Sequence, residues 1–334
     1  MTLADVIAVI LLAGVILYAI FGGADFGAGF WDLTAGGAAR GAKPRLVIEE
    51  SIGPVWEANH VWLIFCLVVI WTCFSEAFAS ITLTLFVPLS LAAAGIVLRG
   101  SGFAFRKVVV RTRYRRLFGG AFALSSIIVP FCLGAVAGGI ASGRVPAGGT
   151  TGDLWDSWLN PTSLVGGVLA IAVCAYLSAV FLVSDAHRLS DQGLVEYFRR
   201  RAIAAAIGAG VIATSGIFLL RNDNRFLIDR LLGRALPVVL LSMVLGVVGL
   251  VLLVRGAATW ARFLAIGAVG SIVAAWGVAQ YPYILAETLK IETAAAPDAT
   301  LWTVLIVFLV AVVVLVPSLG LLYVLDQRSL LDVE

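Results

Sequence analysis

Val6–Phe30 reads VIAVILLAGVILYAIFGGADFGAGF, a run of 25 residues with one charged side chain, Asp25. A helix needs about 20 predominantly apolar residues to cross a bilayer. The run is too long for a cleavable signal peptide and no basic residue precedes it. It also continues into glycines and an aspartate where a cleavage site would stand, so it is read as a retained membrane span. Eight more apolar runs follow, at about 54–74, 77–98, 117–141, 161–184, 202–220, 236–254, 262–285 and 301–325, with the first at 6–30. The expected fold is therefore an all-α integral membrane protein with nine transmembrane helices. That number suits two four-helix bundles plus one helix.

Composition excludes the other classes. Of 334 residues, 61% are hydrophobic and 13% charged, and the mean hydropathy is +1.04. Soluble domains carry about 25% charged residues. In water this chain would expose apolar patches too large to tolerate. A soluble enzyme, a disordered chain and a disulfide scaffold are all ruled out. The longest stretch between runs, 142–160, is too short for a soluble domain, so 1–334 is one polytopic unit. Cys66, Cys73, Cys132 and Cys174 lie inside apolar runs without a C-x-x-C pair, and read as small buried hydrophobes rather than metal ligands.

The basic residues give the orientation. Seventeen Lys and Arg lie in or beside the connections after the odd-numbered runs, and six on the other side. By the positive-inside rule the N-terminus is outside and the C-terminus cytoplasmic. Arg221, Arg225, Arg230 and Arg234 go against the rule, and call for partners such as Asp223 and Asp229, lipid headgroups or another protein. Pro88, Pro130, Pro282 and Pro317 fall inside runs and are expected to kink them.

Ionisable groups in hydrocarbon mark function by default, because each costs about 2.5–3.5 kcal/mol to insert. Few are present. Asp25 stands late in the first run, and Glu57, with Asn59 and His60, early in the second. Antiparallel crossing puts both carboxylates at similar depth near the cytoplasmic end. Glu57 and His60 share a helix face, with Trp56 on the same stripe. Arg99 and Asp185 end runs 3 and 5 and can snorkel to water. A carboxylate pair shielded from water can carry protons, whereas the plainer alternative is a structural contact to a helix end or to Arg99. Gly23 and Gly27 form a small-xxx-small step for helix packing.

No metal site is indicated, and none of the nucleotide-binding or hydrolase signatures occurs. The two histidines, His60 and His187, and the two methionines, Met1 and Met243, form no ligand pair at matched depth, with His187 expected in a loop. Haem ligation by this chain is therefore not expected.

Two motifs reach further. Gly22–Gly29 reads GGADFGAG and Ser51–Ile64 reads SIGPVWEANHVWLI, supported by RGSGFAFR at 99–106 and QYPY at 280–283. With these the whole chain resembles the second subunit of cytochrome bd-type quinol oxidases. The resemblance implies a bacterial cytoplasmic-membrane subunit that holds no cofactor itself. Its partner would be a haem-bearing first subunit with haems b and d and the quinol site, alongside lipid and a small accessory subunit, and no nucleic acid. The complex would oxidise quinol and reduce oxygen to water. The resemblance further implies that Asp25 and Glu57, with His60 as a further member, serve a cytoplasmic proton-uptake route. Trp62 would then line an oxygen path, with Trp56, Asn59, Arg99, Gly23 and Gly27 packing nearby. A different class, a proton-coupled secondary transporter using Asp25 and Glu57, is the alternative. It lacks the paired broken helices such carriers show at mid-membrane.

Overall fold

The computed structural model describes residues 1–37, 40–52, 56–108 and 112–327; statements about side chains exclude residues 52–59, 103, 106–117, 316, 319 and 322–327. Helices dominate. α1 (Leu3–Thr34) is followed by α2 (Ala42–Ile52), α3 (Trp56–Cys73), α4 (Ser75–Thr84), α5 (Phe86–Val108), α6 (Thr112–Ala141) and α7 (Pro161–Arg188). Then come α8 (Gln192–Asp223), α9 (Arg225–Leu232), α10 (Leu236–Val254) and α11 (Ala258–Gln280). A hairpin of β1 (Tyr283–Leu285) and β2 (Leu289–Lys290), the short α12 (Ile291–Ala294) and α13 (Asp298–Gln327) complete the chain.

Among the described residues seven helices are long and apolar enough to cross a membrane: α1, the 118–141 part of α6, α7, α8, α10, α11 and the 298–315 part of α13. α3 and α4 together would make an eighth, but they are bent by 118° at Phe74. α5 supplies a shorter apolar helix, Phe86–Gly102. The chain is a multi-pass membrane protein. Its outward faces fit hydrocarbon, since Phe218 on α8, Met243 on α10 and Val313 on α13 are all more than 60% exposed.

Local signals explain the helix ends. Thr2 caps α1 reciprocally with Asp5, at 3.2 Å from the Asp5 N–H to Thr2 and 2.8 Å from the Thr2 N–H back to the carboxylate. Asn160 accepts from the Ser163 N–H at 2.9 Å, and Pro161 occupies the first turn of α7, where a missing donor costs least.

α1 is the central helix, packed against α3, α6, α7 and α11. Its glycines make this possible. A Cβ on Gly27 would run into the Cys174 carbonyl and the Ser178 side chain of α7, and one on Gly29 into Ser126 of α6. At Gly23 a Cβ would meet Leu177 of α7 at 3.3 Å. The close approach of α1 to two neighbours rests on these bare positions.

Four sequence expectations change. The run at 77–98 is not one helix. α4 ends at Thr84, turned 118° from α3, and its side chains hold the 142–160 connection: Glu76, Ser80 and Thr84 accept from the N–H groups of Gly148, Gly149 and Gly152 at 2.7, 3.1 and 3.0 Å. The run at 262–285 stops as a helix at Gln280, so Pro282 leads into the hairpin instead of kinking a span. His187 belongs to the last turn of α7, not to a loop. The connections after the first and sixth runs also contain helices, α2 and the amphipathic α9.

α9 and the turn after it account for two of the exceptional arginines. Arg230 and Arg234 donate to the carbonyls of Tyr281 and Ala279, at 2.9 and 2.7 Å, and so satisfy the orphan C-terminal acceptors of α11. Asp223 pairs with neither. It takes Arg144 at 2.8 Å and the Thr162 hydroxyl, and its hydrogen bond pushes the Arg144 pKa above the ordinary value.

Candidate functional site

The most enclosed charges in the described chain meet where α1, α5 and α6 converge. Asp25 and Arg99 are each 2% exposed at the side chain. The guanidinium grips the carboxylate in a fork, Nη2 to Oδ1 at 2.7 Å and Nε to Oδ2 at 3.2 Å, and Nη2 also donates to the Asp25 carbonyl at 2.7 Å. Nη1 donates to the Ser126 hydroxyl, which itself donates to the Phe122 carbonyl at 2.6 Å. The Phe26 and Phe122 rings lie 4.9 and 4.3 Å from the guanidinium carbon. Planar bidentate pairing and stacking between aromatic faces are what arginine does better than lysine.

The sequence places Arg99 at a helix end, able to snorkel to water; the structure buries it instead. α5 extends well beyond Arg99 to Val108, and Gly29 lets α6 come close enough for Ser126 to meet it. Pro130 on α6 has no N–H for the Ser126 carbonyl one turn back, which adds a second polar group at that level. Ser126 and Phe122 were not singled out from sequence. A Ser-Ser pair one turn before a proline inside an apolar run was the available signal.

α3 runs antiparallel to α1. Gly14 faces Phe65 and Cys66, so that a Cβ there would come within 2.8 Å of Phe65. Further along, the His60 ring stands edge-on to Tyr18 at 6.4 Å and to Phe26 at 6.0 Å between centroids. Trp62 is half-buried and meets Phe65 edge-on at 6.3 Å, and Phe65 in turn meets Phe308 of α13 at 5.5 Å. The side chains of Trp56, Glu57 and Asn59 lie outside the described residues, so the expected meeting of Asp25 with Glu57 does too.

Among the described residues the His and Met side chains do not gather as a pair of axial haem ligands. His60 is wedged between aromatic rings, His187 is exposed at the end of α7, and Met243 is 65% exposed on the outer face of α10. Among the described residues no three His, Cys, Asp or Glu side chains gather as a metal would need. Cys73, Cys132 and Cys174 are buried, Cys66 is half-buried, and all four are free.

The fold and site define a class: a polytopic, all-helical membrane protein built round a buried ion pair. Residues 3–326 match the family described as cytochrome bd terminal oxidase subunit II, and the chain belongs to it. Subunit 2 of cytochrome bd-I ubiquinol oxidase from Escherichia coli (strain K12) is 25% identical over 230 residues, covering 65% of this chain and 58% of that protein. Subunit 2 of the cytochrome bd ubiquinol oxidase of Bacillus subtilis (strain 168) is 26% identical over 161 residues, covering 48% of this chain and 47% of that one. The matched region thus spans about half the length of these curated relatives. A chain in the solved structure of bd oxidase from Geobacillus thermodenitrificans superposes with a TM-score of 0.79 at 25% identity, over 100% of both chains.

Proposed function

We propose that this chain is the haem-free second subunit of a bacterial cytochrome bd-type oxidase, which oxidises quinol and reduces oxygen to water. Family membership over nearly the whole chain and the structural likeness support this reading. In it α1, α3, α5, α6, α7, α8, α10, α11 and α13 are nine spans, with the N-terminus outside, the C-terminus cytoplasmic, and Asp25 toward the cytoplasmic side. The partner is a haem-bearing first subunit, with lipid and a small accessory subunit alongside. Nothing comparable supports a secondary transporter.

The chain's own contribution is a proton-uptake route from the cytoplasm through Glu57 and the Asp25 site, with His60 beside it. One observation carries this. The antiparallel contacts of α1 and α3, Gly14 with Phe65 and then Tyr18 and Phe26 on either side of His60, support a Glu57 that stands, one turn before His60, near the depth of Asp25. Within the route Asp25 is locked in the two-point grip of Arg99. The site therefore supplies a fixed, oriented dipole, and Glu57 is the group that exchanges protons.

Purification from native membranes tests the assignment. The chain is expected to bring a haem-bearing partner and quinol oxidase activity, whereas a colourless preparation that transports solute would overturn it. His60→Ala and His187→Ala should leave every haem band in place in assembled complex. Selective loss of one band would place an iron ligand in this chain.

Trp62 lines an oxygen path in the same reading, because oxygen partitions into apolar regions and α3 turns Val61, Ile64, Val68 and Trp71 outward beside it. Trp62→Phe and Trp62→Ala both shorten the side chain and are expected to shift the apparent oxygen affinity in the same direction, further in Trp62→Ala. Unchanged affinity in both would reduce Trp62 to packing against Phe65.

A further inference from the structure

Tyr18 is the buried polar group at this site that the motifs do not explain. Its hydroxyl is shut off from solvent and makes no hydrogen bond among the described residues. Burying a hydroxyl without a partner is costly, so such a group in a native core calls for an ordered water or a function. The surroundings are specific. Gly22, one turn on, leaves space for the ring: a Cβ there would sit 2.9 Å from the Tyr18 Cε2 atom and 3.3 Å from Cζ. The ring therefore lies along α1 in the direction of Asp25, two turns away on the same face. The hydroxyl is within electrostatic reach of Asp25, Arg99, Cys174 and Cys66. Across the helix pair stands the His60 ring.

We infer that Tyr18 is a relay residue, whose hydroxyl, through an internal water, passes protons from the Asp25–His60 level toward the middle of the membrane. This rests on the proton-route reading above and adds the next member of the route. A phenol suits the task. Its oxygen accepts a proton on a lone pair as its own O–H bond breaks toward the next acceptor, so one O–H forms as another is lost and no net charge is left behind. The Tyr18 backbone lies seven residues deeper along α1 than Asp25, about 10 Å at 1.5 Å per residue, and its ring reaches part of the way back past Gly22. A carboxylate at that depth would be far costlier, whereas a neutral hydroxyl is tolerated.

Tyr18→Phe removes one oxygen and keeps the ring. If the hydroxyl were structural, its loss would lower the melting temperature of the complex. For an unpartnered buried group, removal should leave it unchanged or slightly raised. The relay role predicts that stability together with oxygen consumption slowed by about tenfold and a larger solvent deuterium isotope effect at saturating quinol. Gly22→Ala is the second arm. It keeps the hydroxyl but pushes the ring aside, and should slow turnover in the same isotope-sensitive way, so the test survives if Tyr18→Phe does not assemble. Full turnover in both variants, or slowing with an unchanged isotope effect, overturns the relay. Glu57→Gln measured in parallel separates the two claims. If it slows turnover while Tyr18→Phe does not, only Tyr18 leaves the route. If neither slows, the route itself is wrong.

Discussion

Asp25→Asn is expected to cost this protein most of its assembled yield. The substitution keeps the shape of the side chain but leaves the Arg99 guanidinium, 2% exposed, without a counter-charge. Removing one partner of a buried pair costs about 3–5 kcal/mol, comparable with the whole stability of many domains. Arg99→Met should be milder. The stranded Asp25 carboxyl can neutralise itself by taking up a proton, whereas a guanidinium has none it can shed. The double variant Asp25→Leu with Arg99→Met removes both charges and should recover stability beyond the Asp25→Asn level, since apolar replacement of a buried pair is often neutral. Yield in membranes and melting temperature of the purified complex read these three together. Equal stability in all of them would show that the pair is solvated in the assembled protein.

The long helices were legible from sequence because hydrocarbon leaves a chain little choice. Backbone groups must be satisfied within the segment, so each apolar run of sufficient length becomes a helix. The failures have a common physical cause. Residues 77–85 are as apolar as a span, but α4 turns aside, with Glu76, Ser80 and Thr84 engaged by the 142–160 connection, a long-range contact that no local pattern carries. Tyr281–Leu285 likewise reads as the tail of a helix and folds into a hairpin, its entry bound by Arg230. At the site the sequence pointed to Asp25 as the charge to explain and offered Arg99 as one partner. It did not show that Arg99 is enclosed, since that depends on Gly29 admitting Ser126 and on two phenylalanine faces drawn from α1 and α6. Tyr18 escaped notice because a tyrosine in a membrane span ordinarily counts as apolar bulk.

Glu57→Gln should give a complex that assembles normally, keeps its optical spectrum and consumes oxygen several-fold more slowly or worse. The contrast with Asp25→Asn follows from the geometry. Asp25 is held by Arg99 in a fork, so losing its half of the pair damages the fold before any chemistry. Glu57 stands in the first turn of α3, where a neutral amide of the same shape leaves no buried cation unpaired within the Asp25–Arg99 pair. Reducing oxygen to water consumes protons, and bare hydrocarbon between the cytoplasm and a buried reaction centre cannot deliver them. A group that exchanges protons at the entrance contributes typically 10²–10⁴-fold where it acts in the rate-limiting transfer, and less where water partly replaces it. Glutamine retains the hydrogen bonds of the carboxyl but has no proton to exchange, so it separates relay from packing. Glu57→Asp keeps the titratable group one methylene shorter and should retain most of the turnover, with a bridging water spanning the gap. Drawing these protons from inside, while quinol releases its own outside, would also make Glu57→Gln build membrane potential more slowly in proportion to its oxygen uptake. Full turnover by assembled Glu57→Gln across a range of pH would reduce Glu57 to a structural polar residue. Loss of turnover in Glu57→Asp as severe as in Glu57→Gln would show that the exchanging group must also have its full reach, because only the length differs between the two acids.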